Sequence, residues 1–471
     1  MKPILTAILC GALLAVSTGA HSDSPLDASA EARALLATLV SFDTASGHGQ
    51  VRPMAEYLAT QFKAAGFDAA DITLLPLGDT ASLIVRYHGD GSSGKPIAFM
   101  AHMDVVPAKR SDWQRDPFTL VEENGYFFGR GTLDMKEDVA LLTETFIRLK
   151  RAHFTPSHDL IIVFTGDEET SEDTAHDLVD HHRDLIDAEY ALNGDMGSGV
   201  LDAATGKPLL FYLQGAEKSV AAFTLTAKNP GGHSSQPRPD NAIYELATAL
   251  TAISHYQFPT QSNSWTLSDF KAASAVTPGP LGKAMARFAD HPKDQTAAAT
   301  IAQSPQYVGK LKTTCVATQI SGGHAENALP QTASAVVNCR IFPGTSADAV
   351  QSRLHALAGP TITITSNYPP TYSDPSPLRP DVVAAVKTAV GAANPGAIVS
   401  PTMVAYATDG SVFRNAGIPT YGVGSMFIKD GENYSHGLDE RIPVDRFYNG
   451  LIYWDVIIHT LAGASSANSI K

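Results

Sequence analysis

Leu160-Ile161-Ile162-Val163-Phe164 stops at Thr165-Gly166-Asp167, and Glu168 and Glu169 follow side by side. The apolar run has strand length and ends at a Gly-Asp turn signal, so it reads as a buried strand. Carboxylates paired at the end of such a strand repel each other, and desolvation adds to the cost. A divalent metal on one Glu would offset that cost and leave the other free to carry protons. Taken alone, two adjacent Glu residues in a loop are more commonly a solvated surface. The ends of the other strands therefore decide between the two readings.

Upstream, apolar residues at spacings of three and four mark helices over 30–39 and 54–65, parted by Gly47-His48-Gly49. Leu83-Ile84-Val85 and Ile97-Ala98-Phe99-Met100 read as strands, 138–149 as a helix, the stretch from Ala175 as helical, and Tyr190-Ala191-Leu192 as a short strand. Strands alternating with helices indicate an α/β fold whose largely parallel sheet is covered on both faces. After Gly215 the rhythm changes. A strand over 220–228, a helix over 241–253, strands over 313–320 and 333–342, a helix over 346–357 and a strand over 362–365 follow in turn. That β-α-β-β-α-β order is the ferredoxin-like split unit. A polar, Ala-rich insert of partly helical character occupies 257–312. Tyr368-Pro369-Pro370-Thr371-Tyr372 reads as a return linker. A helix over 382–393, a strand over 420–423 and a helix over 444–461 then resume the α/β pattern. The expected division is a signal peptide over 1–20, a catalytic domain in two parts over 24–215 and 368–471, and an inserted lid domain over 216–367.

A chain of 471 residues is too long for one small core. Its net charge of −14, with no Lys/Arg cluster, argues against nucleic acid as a partner. Lys2, the apolar run over 4–16 and Ser17-Thr18-Gly19-Ala20 have the order of a secretory signal and its cleavage site. That run is short for a membrane span, so the mature protein is expected to be exported, periplasmic or secreted, and free of the membrane. Cys315 and Cys339 fall opposite each other if their strands pair antiparallel about Asn327. An exported protein can bridge them, and two buried thiols are the alternative; we expect the bridge.

Other strand ends carry the same kind of chemistry. Ile97 to Met100 leads into His102 and Asp104, which lie two apart and so share one side of an extended chain. An Asp so placed can accept a proton from one imidazole nitrogen and aim the other at a metal; a structural His–Asp pair is the plainer reading. Gly129-Arg130-Gly131-Thr132-Leu133 delivers Asp134 just before a helix, where a helix-capping Asp is common. Tyr190 to Asn193 ends at Gly194-Asp195, and Tyr434-Ser435-His436-Gly437 precedes the last helix. Together His102, Asp134, Glu169, Asp195 and His436 form a mixed nitrogen and oxygen set suited to zinc. A shared carboxylate lets five residues give each of two metals three ligands. Two zinc ions, three carboxylates and a bridging hydroxide also sum to zero charge. Glu168, not needed as a ligand, is left as the proton shuttle.

The chain resembles the dinuclear zinc peptidases and amidohydrolases that include carboxypeptidase G, aminoacylase, carnosinase and the Gly-Xaa carboxypeptidases. The matching motifs are Ala101-His102-Met103-Asp104-Val105-Val106-Pro107, Trp113 with Asp116-Pro117-Phe118, Gly129-Arg130-Gly131-Thr132-Leu133-Asp134 and Asp167-Glu168-Glu169. Downstream they are Gly232-His233-Ser234-Ser235, Asn327-Ala328-Leu329-Pro330, Arg340 with Pro343-Gly344, Thr408-Asp409-Gly410 and Ser435-His436-Gly437. The resemblance implies that Asp134 bridges two zincs, that Glu169 and His436 complete one site, and that His102 and Asp195 complete the other. It further implies Glu168 as general acid/base, Asp104 as the residue orienting His102, and His233 as a lid histidine that reaches the reacting carbonyl, often from the neighbouring subunit. Asn327 and Arg340 resemble the residues that hold a substrate carboxylate, a task suited to the planar Arg fork.

The chain departs from the family pattern at Glu137, where many members have Gly, and at Thr170, where a small residue is frequent. Asp195 stands where some members use Glu, which leans toward aminopeptidase or dipeptidase activity. The insert over 257–312 instead points to the Gly-Xaa carboxypeptidase branch. The expectation is a zinc-dependent hydrolase of dipeptidase or carboxypeptidase type that cuts an amide bond near a free carboxylate. Cobalt or manganese could substitute for zinc, and a homodimer through the lid domain is implied. The alternatives are an N-acyl-amino-acid amidohydrolase and an exported metal- or peptide-binding protein without turnover.

Overall fold

The computed structural model describes residues 25–372 and 374–463; the signal-peptide reading lies outside them. The chain opens with α1 (Pro25–Ser41) and α2 (Val51–Ala64). There follow β1 (Ile72–Leu77), β2 (Thr80–Tyr87), β3 (Ile97–His102), α3 (Lys136–Arg151), β4 (Leu160–Thr165), α4 (Asp173–His181), β5 (Tyr190–Asn193), β6 (Gly199–Leu201) and β7 (Pro208–Glu217). A second body begins with β8 (Ser219–Lys228) and α5 (Ala242–His255). After it come helices α6 (Ser264–Ser274), α7 (Gly279–Asp290), α8 (Gln295–Ile301) and α9 (Pro305–Val308), then β9 (Thr314–Gly322), β10 (Thr332–Ile341), α10 (Ala347–Ala358) and β11 (Ile362–Ser366). The chain returns through α11 (Pro380–Ala393), β12 (Ile398–Val404), α12 (Gly410–Asn415), β13 (Thr420–Gly422), β14 (Phe427–Lys429) and α13 (Val444–Ala462).

The large sheet runs β1-β2-β4-β3-β5-β13-β7-β6-β14, with β12 beside β7. Its centre, β4-β3-β5-β13, is parallel, and antiparallel pairs lie toward its margins. β3 and β4 are buried along their whole length, and successive side chains point to opposite faces. Phe99 meets Phe146 of α3 and Trp454 of α13 on one face. Met100, Ile161 and Val163 join Leu178 of α4 and Phe413 of α12 on the other. Each such side chain contributes roughly 1.5–3 kcal/mol on burial. This is the α/β arrangement read from the strand–helix alternation. No helix among the described residues is long and apolar enough to cross a membrane.

The smaller sheet has the order β9-β10-β8-β11 and is antiparallel throughout. Helices α5 and α10 cover one face through Leu246 and Leu354, which pack on Phe223, Leu225 and Val337. That is the ferredoxin-like unit expected from the β-α-β-β-α-β order. Cys315 lies opposite Cys339 in the β9–β10 ladder, and the two are joined as a disulfide. The 257–312 insert forms helices α6 to α9 around Phe270, Met285 and Phe288. Its helix α6 packs on β12 of the large sheet, while Phe258 ahead of that helix touches the core of the smaller sheet. The Trp265 ring lies so close to Gly215 of β7 that a Cβ there would stand 2.0 Å from it, and its indole N–H donates to the Ser376 carbonyl at 2.9 Å.

Candidate metal centre

Four loops at one end of the large sheet meet at the candidate site. His102 is the last residue of β3 and is almost fully buried. Its Nδ1 stands 3.1 Å from the main-chain oxygen of Asp104. A carbonyl only accepts, so Nδ1 carries a proton and Nε2 is the ring atom that faces the neighbouring carboxylates. Nε2 lies 3.1 Å from Asp134 Oδ1 and 3.6 Å from Asp195 Oδ1. The Asp104 carboxylate is 3.5 Å from Nδ1 and has a different principal task. It accepts from the main-chain N–H of Glu168 at 3.1 Å and of Glu169 at 3.0 Å. Asp104 thus orients His102 with its backbone and clamps the Glu pair with its side chain.

Asp134 reaches the site on the loop before α3, and the peptide bond to Met135 is cis. Glu440, wholly buried, accepts from the main-chain N–H of Leu133 at 2.7 Å, Asp134 at 3.0 Å and Gly131 at 3.0 Å, and from Arg130 Nη1 at 2.6 Å. Arg130 also donates to the Gly437 carbonyl at 3.1 Å. A short antiparallel pairing of Arg441–Pro443 with Tyr126–Phe128 brings these segments together. His436 stands at φ 60°, in the left-handed region that His tolerates better than most residues. Its Nε2 lies 2.9 Å from Glu169 Oε1 and 3.1 Å from Asp134 Oδ2.

Asp195 follows β5, and its N–H donates to Asn193 Oδ1 at 3.0 Å. Asn193 Nδ2 donates in turn to Asp409, which also accepts from Thr165 Oγ1 at 2.8 Å. A side chain on Gly424 would lie 2.3 Å from the Gly194 carbonyl, so this close approach requires glycine. Two donor groups result, His102 with Asp134 and Asp195, and Asp134 with Glu169 and His436. Within each group the donor atoms lie within 4.8 Å of one another. Asp134 is common to both.

Residues 98–460 match the profile of peptidase family M20/M25/M40. The chain belongs to this family. The N-fatty-acyl-amino acid synthase/hydrolase PM20D1 of Xenopus tropicalis is 27% identical over 407 residues, 83% of this chain and 77% of that protein. The probable carboxypeptidase S-like 2 of Dictyostelium discoideum is 24% identical over 388 residues, 78% and 72% of the two chains. Among solved structures, the M20 family metallo-carboxypeptidase Sso-CP2 of Sulfolobus solfataricus superposes with a TM-score of 0.67 at 18% identity, over 91% of this chain and 98% of that one. The protein is therefore an M20 metallohydrolase of peptide or amide bonds, and its mixed His and carboxylate set fits the metal dependence that the class name states.

The field in this M20 centre favours positive charge at both donor groups. Burial opposes the charged form of His102, yet hydrogen bonds to Asp104, Asp134 and Asp195 outweigh it and hold its pKa well above the usual range. Hydrogen bonds to Asp134 and Glu169 raise His436 to about 10. For Asp134, burial works toward protonation, but the two imidazoles prevail and hold it below the usual carboxylate range. A site that drives two imidazoles to carry charge is one that suits cations. Glu168 behaves oppositely: burial raises it well above its ordinary value, and Asp195 adds to the effect. Glu168 and Glu169 line a cleft of about 400 Å³ with Tyr406, Asn433 and His436.

The three lid residues stand elsewhere. His233 is exposed in a two-residue ladder, opposite Ala328, and its Nδ1 accepts from the Ser235 N–H at 3.2 Å. Asn327 neighbours that ladder, and its carbonyl accepts from the Ser234 N–H. Arg340 sits on β10 between Val220 and Thr314 and is half-buried. None of the three lines the cleft. Sequence reasoning passed over Glu440 and Tyr406. A Glu four residues beyond His436 and next to Arg441 looks like a surface ion pair, and only its burial marks it out.

Proposed function

We propose that this M20 hydrolase uses two metal ions, zinc by preference, to cut an amide or peptide bond near a free carboxylate in a dipeptidase or carboxypeptidase type of reaction. The observation that carries the reading is the pair of donor groups sharing Asp134, with Glu168 beside them on a loop whose main chain is clamped by Asp104. On this reading His102 and Asp195 would hold one ion and Glu169 and His436 the other, with Asp134 a member of both donor groups. Metal ions held there would supply an activated water and polarise the scissile carbonyl. Glu168 would carry a proton from the attacking water to the leaving amine, and burial with the nearby Asp195 holds its pKa above the ordinary carboxyl value. Arg340 and Asn327 grip the substrate carboxylate, and His233 reaches the carbonyl from a neighbouring copy. The protein acts after export, in a periplasmic or secreted setting.

A second reading, hydrolysis of N-acyl amino acids, is favoured by the similarity to the N-fatty-acyl-amino acid synthase/hydrolase. Dipeptides, C-terminal tripeptides and N-acetyl amino acids, each assayed with zinc, cobalt or manganese, separate the two. Glu168→Gln is expected to keep its metal and lose at least about 10²-fold in kcat, whereas Glu169→Gln loses metal. Near-normal turnover by Glu168→Gln would end its assignment as the proton carrier.

A further inference from the structure

Beside the metal cleft, the insert and the large sheet bound a separate cavity of about 240 Å³. Its walls include Tyr212 and Gln214 of β7, Thr402 and Val404 of β12, and, from the insert, Gln306 of α9 and Lys310 just after it. Tyr406, two residues past β12, borders both this cavity and the metal cleft. With Gly197 and Ser198 it also borders a smaller space of about 110 Å³ beside Asp134 and Asp195. The cavity thus adjoins the place where an amide would be cut.

The polar groups in its inner wall are already paired. Gln214 accepts from the Gly422 N–H at 3.0 Å and donates to the Ala216 carbonyl at 3.4 Å. Lys310 pairs with the wholly buried Asp269 and donates to Thr402 Oγ1 at 3.0 Å. That hydroxyl donates in turn to Asp269 at 2.7 Å. The ammonium therefore has its counter-ion within the fold, and it lies 5.1 Å from the centre of the Tyr212 ring. The remaining wall is largely apolar, made by Val404, Ala405 and the rings of Tyr212 and Tyr406. Tyr406 is 48% exposed, so its ring offers a face to whatever enters. Ser198 and Gln306 are exposed and belong to the rim.

Such a lining selects by polarity. A polar group would give up water for walls that return few hydrogen bonds, whereas an apolar group gains by leaving water. The volume selects by size. About 240 Å³ is less than the roughly 300–1,000 Å³ of sites that take a whole drug-sized ligand, and it suits one side chain.

We propose that this cavity is a specificity pocket that takes an aromatic or branched apolar side chain from the acyl part of the amide, with Tyr406 at its entrance. The inference rests on the hydrolase reading above and deepens it. On that reading Arg340 and Asn327 of the lid hold the carboxylate end, and the cavity lies on the large sheet, so the acyl part is left to fill it. The insert thereby takes part in the choice of substrate.

The test compares phenylalanyl-glycine with alanyl-glycine, and N-phenylacetylglycine with N-acetylglycine, on the zinc-loaded enzyme. In the pair that is cut, the wild type should favour the aromatic member by at least about tenfold in kcat/KM. Gln306→Trp crowds the cavity from the insert and Val404→Phe from the sheet, and either should bring that ratio toward one by loss on the aromatic member. Gln306 is exposed, so its variant keeps the fold even where Val404→Phe does not. A ratio near one in the wild type, or a ratio unchanged in both variants, overturns the proposal. So does a preference for aspartyl-glycine over phenylalanyl-glycine, which would make Lys310 the recognising group. If no amide is cut, the hydrolase reading fails, and calorimetry with the two N-acyl glycines decides this one. Saturable binding of the phenylacetyl compound alone, lost in Gln306→Trp, supports the pocket, and equal or absent binding removes it.

Discussion

Glu440 shows how one side chain can set a site that it does not enter. Both its oxygens are filled by the loop that ends in Asp134, three times through main-chain N–H groups and once through Arg130. It also lies four residues beyond His436, so the segment that brings one ligand holds the loop that brings another. An amide in its place would turn an NH₂ group toward backbone N–H groups and leave buried donors unpaired. Glu440→Gln is therefore expected to weaken cobalt binding about 10–100-fold, measured by visible absorption during titration. An unchanged titration would make the clamp dispensable. The Glu168–Glu169 pair follows the same logic: the Asp104 carboxylate fixes both main-chain N–H groups in the turn that follows β4.

Helix α3 carries a buried acid, Glu144, whose effect is on stability. Burial lifts Glu144 to about 8, the nearby Glu31 adds to the rise, and Arg151 and Arg148 only partly oppose it. A folded-state pKa above the unfolded value means that the native state holds the proton more tightly. The resulting stability is complete below the ordinary carboxyl value of 4.5 and is lost as pH rises through about 8. Glu144→Gln should flatten the fall in melting temperature across that window, and an unchanged slope would place the pH dependence elsewhere. Strands differ in how plainly they can be read. β3, β4 and β5 are continuous apolar runs, buried on both faces, and show at once. β7 and β12 do not, because Gln214 and Glu217 interrupt the first and Pro401 the second. Their polar groups are settled only by distant partners: Gln214 accepts from the Gly422 N–H at 3.0 Å, and Glu217 pairs with Arg414.

At the scale of the whole molecule, β9 is one of the two edges of the smaller sheet. Val316 and Ile320 on that strand are 58% and 71% exposed, and Tyr244 on the adjoining α5 is 68% exposed. An apolar edge of this kind invites strand pairing with another chain, which supports the proposed homodimer through the lid. Ile320→Lys should shift the protein to monomers in sedimentation analysis and lower turnover, if His233 serves the neighbouring copy. A wild-type protein that is already monomeric would set that arrangement aside.

The α/β alternation, the ferredoxin-like order, the cysteine pairing and the five residues of the two donor groups were legible along the chain. Each follows from local periodicity or from donor chemistry at a strand end, and neither needs distant residues to be recognised. Tertiary structure alone decided that the insert helices rest on the large sheet, that Asp104 clamps the Glu pair, and that Glu440 holds the Asp134 loop. These are matters of which buried group meets which partner across hundreds of residues, and hydrogen-bond satisfaction in a packed interior has no signature in local spacing.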